Sequence, residues 1–209
     1  DAAVATKALN SLLKSVYNPK PEKQLEIANA NDWANEKVKE VKPHAEYLSV
    51  IREVLPRDGF FVEEITQIGF TSQFAFPVYE PRTYVTCGFQ GNLGFGFQAA
   101  LGVKVANPDK VVISVTGDGG FMFGVQELAT AAQEGIGLIT IVMNNSAFGN
   151  VRRDMRRIYK GKPLGSELLN PDFKKLAEAF EINGYYAENS VELKTFFALS
   201  LAFCNISLV

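Results

Sequence analysis

The sequence predicts an α/β domain built in three layers, in which helices cover both faces of a mostly parallel β-sheet. Residues 111–115 and 138–143 form continuous apolar runs, which are typical of strands buried on both faces. Helical patterns separate these strands along the chain, as the crossover connections of a parallel sheet require. The 209 residues, 47% of them hydrophobic and 21% charged, are enough for one such domain with additional length at one end.

The individual elements follow from periodicity and from breaker residues. Apolar residues at helical spacing, among them Leu9, Leu12 and Val16, predict a first helix over residues 2–16. The polar, proline-containing stretch 17–42 is interpreted as a linker with a short helical piece around Trp33. The remaining predicted helices cover residues 44–55, 91–106, 124–133, 171–180 and 191–203, and the one at 171 begins with a proline. The predicted strands are residues 59–65, 84–87, 111–115, 138–143, 185–187 and 206–209.

Bulk properties argue against several classes of function. A net charge of −2 gives no indication of binding to nucleic acid or to an anionic membrane. The longest apolar runs are far too short to span a bilayer, so no membrane partner is expected. Two cysteines, Cys87 and Cys204, do not make a disulfide framework, and we therefore expect a cytoplasmic location. The chain begins with Asp1 directly before a predicted helix, which favours a piece of a longer protein over removal of a start Met or a tag.

Ligands of open parallel sheets lie beyond the carboxyl ends of the strands, which directs attention to two polar loops. One loop reads Gly117-Asp118-Gly119-Gly120, and the other is residues 144–149, NNSAFG. Glycines beside a helix that opens near residues 123–124 would present free N–H groups to a phosphate. A carboxylate there would repel phosphate unless a cation lay between them, so Asp118 suggests Mg²⁺, with Asn145 offering a neutral oxygen. A single Asp in a glycine-rich turn is usually only a turn residue, and the pair of loops carries the argument.

The pair of loops resembles the signature of thiamine diphosphate enzymes. Gly117-Asp118-Gly119 is followed by a gap and then by Asn144-Asn145, and residues 125–128 (VQEL) also fit the pattern. The chain resembles the C-terminal, pyrophosphate-binding domain of the acetolactate synthase and benzoylformate decarboxylase group. The resemblance implies a thiamine diphosphate-binding domain over residues 43–209, preceded over residues 1–42 by the tail of a central domain and a linker.

The resemblance implies a role for each matching position around the metal. Asp118, the side chain of Asn145 and the main-chain oxygen of Ala147 are the implied Mg²⁺ ligands. The implied cofactor contacts nearby, mainly through the backbone, are Gly117, Gly119, Gly120, Phe148 and Gly149. Many relatives have Ser where this chain has Gly120, so one side-chain hydrogen bond to the diphosphate is expected to be missing. Gln67 and Ile68 match a pair that contacts the diphosphate, and Ile68 can contribute only its backbone.

Leu93 and Gly91 are the implied catalytic positions. Leu93 lies 25 positions before Asp118 (118 − 93 = 25), where relatives have an aliphatic wedge that bends the cofactor into a V. The Gly91 carbonyl would accept a hydrogen bond from the cofactor's 4′-amino group. Bending holds the 4′-imino group against the reactive carbon, and this proximity promotes loss of its proton. The alternative reading of Leu93, without the neighbouring motifs, is a core residue on a glycine-rich helix.

Other conspicuous residues are assigned structural roles. His44, the single histidine, is far in sequence from the motif loops, and one histidine cannot form a histidine-based metal site or a serine triad. Cys87 is interpreted as a small buried hydrophobe. The basic run from Arg152 to Lys162 is interpreted as a solvated helix face, with a lid or a contact to a substrate carboxylate as the alternative. Gly91, Gly94 and Gly96 do not have the G-x-G-x-x-G spacing of a dinucleotide site.

Half of the implied site has no counterpart in this sequence. In the family, a different domain, usually of a partner subunit, holds the aminopyrimidine ring and supplies the activating glutamate, and Glu63 and Glu64 do not fit that role. We therefore expect a fragment, or one subunit, of a homo-oligomeric enzyme (dimer or tetramer) that acts on a 2-oxo acid. The preferred hypothesis is an acetolactate synthase-like carboligase. The alternatives are a simple 2-oxo-acid decarboxylase and a non-catalytic domain or subunit, and the chain alone is expected to be inactive.

Overall fold

The computed structural model describes residues 1–17, 20–203 and 207–208, and these residues divide into two compact units. The first unit, Asp1–Glu40, contains helices α1 (Ala2–Val16) and α2 (Pro21–Lys39). Helix α1 agrees with the prediction, whereas the short helical piece predicted around Trp33 is instead a helix of 19 residues, α2. The proline of α2 lies in its first turn, where it is tolerated, and i,i+3 ion pairs such as Lys23–Glu26 support the helix.

The second unit, Val41–Val209, contains the sheet and the helices that cover it. Its strands are β1 (Phe60–Glu63), β2 (Tyr84–Val85), β3 (Val112–Gly117), β4 (Ile139–Met143), β5 (Asn183–Gly184) and β6 (Ser207–Leu208). Its helices are α3 (His44–Val54), α4 (Gln67–Ala75), α5 (Gly96–Ala106), α6 (Asp118–Met122), α7 (Glu127–Gln133), α8 (Gly149–Arg157), α9 (Phe173–Ala179) and α10 (Ser190–Phe203).

The six strands form one sheet in the order β2-β1-β3-β4-β6-β5, and every neighbouring pair is parallel. The predicted fold class is therefore confirmed. Glu63 pairs with Val115 and Gly117 pairs with Met143, so β1, β3 and β4 end at the same edge of the sheet. The loops that follow these strands consequently lie side by side.

Side chains alternate between two apolar cores, one on each face of the sheet. On β3, Ile113 and Val115 belong to one core and Val112 belongs to the other. Ser114 and Thr116 are also completely buried, on the Val112 side of the strand. Within the described residues, none of the helices has the length and apolarity that a bilayer crossing requires.

The structure corrects several predicted boundaries. The helix predicted over 91–106 begins only at Gly96, because Gly91 and Gly94 have positive φ angles of 59° and 80°. The helix predicted over 124–133 begins only at Glu127 as α7, and a separate short helix that was not predicted, α6, precedes it at Asp118–Met122. The strand predicted over 185–187 lies instead at Asn183–Gly184. Helix α9 begins at Phe173, capped by Asp172 rather than opened by Pro171. Residues 206 and 209 of the predicted last strand lie outside the described residues.

Candidate functional site

A cleft of about 370 Å³ opens at the carboxyl edge of the sheet. Its walls come from the ends of β1, β3 and β4 and from the segment between β2 and α5. All twelve residues predicted from the sequence to bind the cofactor line this cleft: Gln67, Ile68, Gly91, Leu93, Gly117, Asp118, Gly119, Gly120, Asn145, Ala147, Phe148 and Gly149. Three segments contribute much of this lining: the aspartate loop (residues 117–120), the asparagine loop (residues 144–149) and the leucine loop (residues 91–95).

Asp118 is the fixed point of the cleft. It follows the last residue of β3 directly, opens α6 and is only 3% exposed. Its Oδ2 accepts hydrogen bonds from the Ala147 amide at 3.2 Å and from Asn170 Nδ2 at 2.7 Å. Among the described residues no hydrogen bond reaches Oδ1. The carboxylate is thus oriented through one oxygen, and the other is available to a cation.

The asparagine loop is held against a second segment, residues 166–170. Ala147 forms an antiparallel bridge with Glu167, in which the Phe148 amide donates to Ser166 and the Leu168 amide donates to Ser146. Neither of these hydrogen bonds uses the main-chain groups of Ala147, so its carbonyl is not consumed by the bridge. Asn170 also donates to Asn144 Oδ1 at 2.9 Å and therefore joins the two loops.

The donor set is that of a hard cation. Among the described residues, no group of three or more His, Cys, Asp and Glu side chains is placed to hold a metal ion. Asp118, Asn145 and Ala147 all line the cleft, and a carboxylate, an amide oxygen and a main-chain carbonyl are oxygen donors of the kind that suit Mg²⁺ shared with phosphate oxygens. The lining contains one imidazole, that of His44, and no thiolate, which is too few for the usual ligand set of Zn²⁺.

The glycines of the cleft are enforced by packing. A Cβ added at Gly119 would lie 2.7 Å from Cδ1 of the Phe148 ring, and one at Gly149 would lie 2.7 Å from Asn145 Nδ2. A Cβ at Gly120 would lie 2.7 Å from Cδ of Glu64 and would overlap its oxygens. The place that a Ser side chain would take is therefore next to a carboxylate, and the cleft wall here is backbone.

Free main-chain donors come from helix ends that the sequence did not predict. Helices α4 and α8 both begin at the cleft, with Gln67 and Ile68 in the first turn of α4 and Gly149 to Val151 in that of α8. The first amides of a helix have no intrahelical partner, and they favour an anionic ligand. Thr66 caps α4 by accepting from the Gly69 amide at 2.8 Å. The expected helix start near residues 123–124 is wrong, because α6 begins at Asp118 and α7 at Glu127.

The leucine loop is irregular and partly open. Leu93 is 42% exposed and lines the cleft, so it is not the core residue on a helix that was the alternative reading. The loop is attached to the sheet by the buried carboxylate of Glu64, which accepts from the Gly94 amide at 2.6 Å and the Gly96 amide at 3.3 Å. Glu64 itself is not among the residues that line the cleft.

Several residues that line the cleft or orient its side chains were not predicted from the sequence. His44 lines it, although its distance in sequence argued for a remote position, because α3 packs against α4 at this edge. Burial lowers the pKa of the His44 imidazole. Asn150 also lines the cleft, and its Oδ1 accepts a hydrogen bond from Gln67 Nε2. Asn170, which holds Asp118, lies 52 residues further along the chain. No short motif marks these positions, since only the folded sheet edge brings them together.

The basic run and Cys87 lie outside the cleft lining. The basic run belongs to α8 and the segment after it, where Arg152 pairs with Glu167 at 3.0 Å and Arg153 pairs with Asp154 at 2.9 Å. Only Val151 and its preceding residues bring α8 into the cleft wall. Burial raises the pKa of the Cys87 thiol, which disfavours the nucleophilic thiolate.

Comparison with known proteins identifies the family to which this fold and cleft belong. The family "Thiamine pyrophosphate enzyme, C-terminal TPP binding domain" matches residues 64–207, and the chain belongs to this family. The chain is 34% identical over 158 residues to an acetolactate synthase large subunit of Haemophilus influenzae, covering 72% of the chain and 27% of that protein. It is 30% identical over 194 residues to the acetolactate synthase large subunit of Buchnera aphidicola from Acyrthosiphon pisum, covering 92% of the chain and 33% of that protein.

A solved structure gives the same answer. The thiamine diphosphate-dependent 4-hydroxybenzoylformate decarboxylase of Rhodococcus jostii superposes with a TM-score of 0.73 and 29% identity, over 79% of this chain and 31% of that one. The chain thus spans about a quarter to a third of the length of these proteins. Thiamine diphosphate, used together with Mg²⁺, is the cofactor of the family.

Proposed function

We propose that this chain supplies the Mg²⁺- and diphosphate-binding half of the active site of an acetolactate synthase-like enzyme. The observation that carries the proposal is the convergence of twelve residues from four separate strand ends on one cleft, with Asp118 oriented at its centre. Asp118, the Asn145 side chain and the Ala147 carbonyl would hold Mg²⁺. The first amides of α4 and α8, with the glycine backbone of the aspartate loop, would hold the diphosphate.

The remaining proposed roles concern the reactive end of the cofactor. Thiamine diphosphate supplies an electron sink for the carbanion that forms when a 2-oxo acid loses carbon dioxide. Leu93 would set the bend of the cofactor, and the Gly91 carbonyl would accept a hydrogen bond from its amino group. Both residues lie in the leucine loop, and both line the cleft. The Gly91 carbonyl and the aliphatic Leu93 side chain can position a ligand but cannot exchange protons with it.

The proposed parent enzyme carries out carboligation after decarboxylation, because acetolactate synthase large subunits are prominent among the relatives. Simple decarboxylation is the second candidate, supported by the superposed decarboxylase. In either case we propose that residues 1–42 belong to a central domain and its linker. A pyrimidine-binding domain, from elsewhere in the parent chain or from another subunit of a homo-oligomer, would complete the site, and the chain alone would be inactive. A cytoplasmic location remains our expectation.

Calorimetry tests the binding half of this proposal. The chain is titrated with thiamine diphosphate, and separately with inorganic pyrophosphate, each with Mg²⁺ and with EDTA. We expect metal-dependent binding of both, and loss of at least about 100-fold in affinity for Asp118→Ala, more than outer partners of a metal usually cost. Asp172→Ala is the matched control, since Asp172 caps α9 and does not line the cleft. Equal affinities with and without metal would contradict the proposal.

A further inference from the structure

Glu64 is a completely buried carboxylate that the proposed binding contacts do not use. Burying a charged carboxylate is unfavourable unless hydrogen-bond donors surround it. Here both oxygens are satisfied: Oε1 accepts from the Gly94 amide, and Oε2 accepts from the Gly96 amide and from the Thr116 hydroxyl. A fully satisfied buried carboxylate of this kind rigidifies the groups that it joins.

The donors to Glu64 belong to two parts of the cleft that are far apart in sequence. Gly94 directly follows Leu93 in the leucine loop, and Gly96 begins α5. Thr116 lies on β3, two residues before Asp118. The carboxylate also fills the space beside Gly120, where an added Cβ would lie 2.7 Å from Cδ of Glu64. Glu64 therefore sits between the leucine loop and the aspartate loop and contacts both.

The preceding residue provides an internal contrast. Glu63 is equally buried, but it accepts a hydrogen bond from Thr86, and its Oε2 has no partner among the described residues. An added Cβ at Gly69 would lie 2.5 Å from that oxygen, which places it against α4 rather than against the leucine loop. Two adjacent buried glutamates thus have different neighbours, and only Glu64 bridges the two loops.

We propose that Glu64 is a positioning residue that fixes the distance between Leu93 and the Asp118 anchor. This inference rests on the proposed function, because the distance matters only if one cofactor spans both loops. Without the carboxylate, the leucine loop keeps its glycine freedom at residues 91 and 94 and samples other conformations. The affinity for a ligand that reaches only the aspartate loop does not depend on Glu64, whereas the affinity for a ligand that spans both loops does.

The test compares Glu64→Gln with Glu63→Gln, two isosteric changes at adjacent buried positions. In Glu64→Gln one oxygen becomes an NH₂ group, which cannot accept from a glycine amide. We expect amide hydrogen exchange over residues 91–97 to accelerate at least about tenfold in Glu64→Gln, a local opening that corresponds to ~1.4 kcal/mol. With Mg²⁺ present, affinity for thiamine diphosphate should fall about tenfold, while affinity for inorganic pyrophosphate stays within about twofold. Glu63→Gln should change neither quantity.

The outcomes separate this inference from the proposed function. Unchanged exchange over residues 91–97 in Glu64→Gln, or equal loss of both ligands, would overturn the positioning role. If the unmodified chain binds neither ligand, the proposed function fails, and the exchange measurement still reports whether Glu64 holds the loop. Should Glu64→Gln not fold, Thr116→Val removes one donor of the link, and faster exchange over residues 91–97 is again required.

Discussion

The aspartate loop and the leucine loop both line one cleft, but they are held in different ways. The aspartate loop continues β3 directly into α6, and Asp118 is 3% exposed. The leucine loop has no regular structure, and Leu93 is 42% exposed. One loop is placed by the strand that precedes it, and the other is held by the side chain of Glu64, the residue that directly follows β1.

The difference shows that one site can combine a firmly held residue, Asp118, with a loop that is held less firmly, the leucine loop. The position of Asp118 is over-determined, since the end of β3, the Ala147 amide and Asn170 all restrain it. The residues that follow Leu93 are held by the hydrogen bonds of Gly94 and Gly96 to one carboxylate. Substitutions that disturb Asp118 should therefore weaken the binding of thiamine diphosphate and of pyrophosphate alike. Substitutions that disturb the hydrogen bonds of Glu64 should weaken the binding of thiamine diphosphate selectively.

The largest expected effect comes from Gly120→Ser, which forces a side chain against the Glu64 carboxylate that joins the aspartate loop to the leucine loop. The added atoms overlap the Glu64 carboxylate, and overpacking of this kind costs about 1–3 kcal/mol of the free energy of unfolding. Shortening the acid in the double variant Gly120→Ser, Glu64→Asp should restore part of that stability. Denaturant unfolding of the two single variants and the double variant measures the coupling. Strictly additive losses would show that Gly120 and Glu64 do not share this space.

Asn170→Ala tests the anchor. Asn170 Nδ2 donates both to Asp118 Oδ2 and to Asn144 Oδ1, so its removal frees the carboxylate to rotate. Outer partners of this kind change metal affinity by roughly 10–100-fold. We expect thiamine diphosphate and pyrophosphate, each with Mg²⁺, to weaken equally in calorimetry. Asn189→Ala is the control, because Asn189 caps α10 away from the cleft. If only the affinity for thiamine diphosphate fell, Asn170 would support the leucine loop rather than Asp118.

The smallest expected effect concerns the unlinked neighbour, Glu63. Burial raises the pKa of the Glu63 carboxyl above its ordinary 4.5, so the folded chain holds this proton more tightly than the unfolded chain. The resulting stability is complete below about pH 4.5 and is lost as pH rises through the raised pKa.

Glu63→Gln removes this pH dependence, because its amide does not ionise. We therefore expect the melting temperature of the variant, relative to the unmodified chain, to increase from pH 4 to pH 8, and each 1 kcal/mol of this effect corresponds to about 2–4 °C for a chain of this size. Thermal melts across this pH range provide the measurement. A difference that is the same at every pH would mean that Glu63 is ionised as readily in the folded chain as in the unfolded one, and a difference that shrinks as pH rises would mean that it is ionised more readily.

The sequence was sufficient where strong local patterns coincide with structure. The apolar runs of β3 and β4 predicted buried parallel strands, and the confirmed fold class and family followed from those runs and the two polar loops. Helices α4 and α8 were missed and α2 was predicted only in part, because they are polar or lack an apolar stripe and therefore show no clear helical periodicity. The assignments of individual cofactor contacts stay predictions, although the structure places all twelve on one cleft.

What the sequence by itself determined is the chemistry at the ends of strands: Asp118, the double Asn and the glycines beside them. Only the tertiary structure decided which distant side chains serve that chemistry. Asn170 reaches Asp118, His44 joins the cleft wall and Glu64 holds the leucine loop. The physical reason is that strand-end loops are local in sequence, whereas hydrogen bonds that orient a carboxylate or a loop form wherever the packed sheet brings donors within about 3 Å.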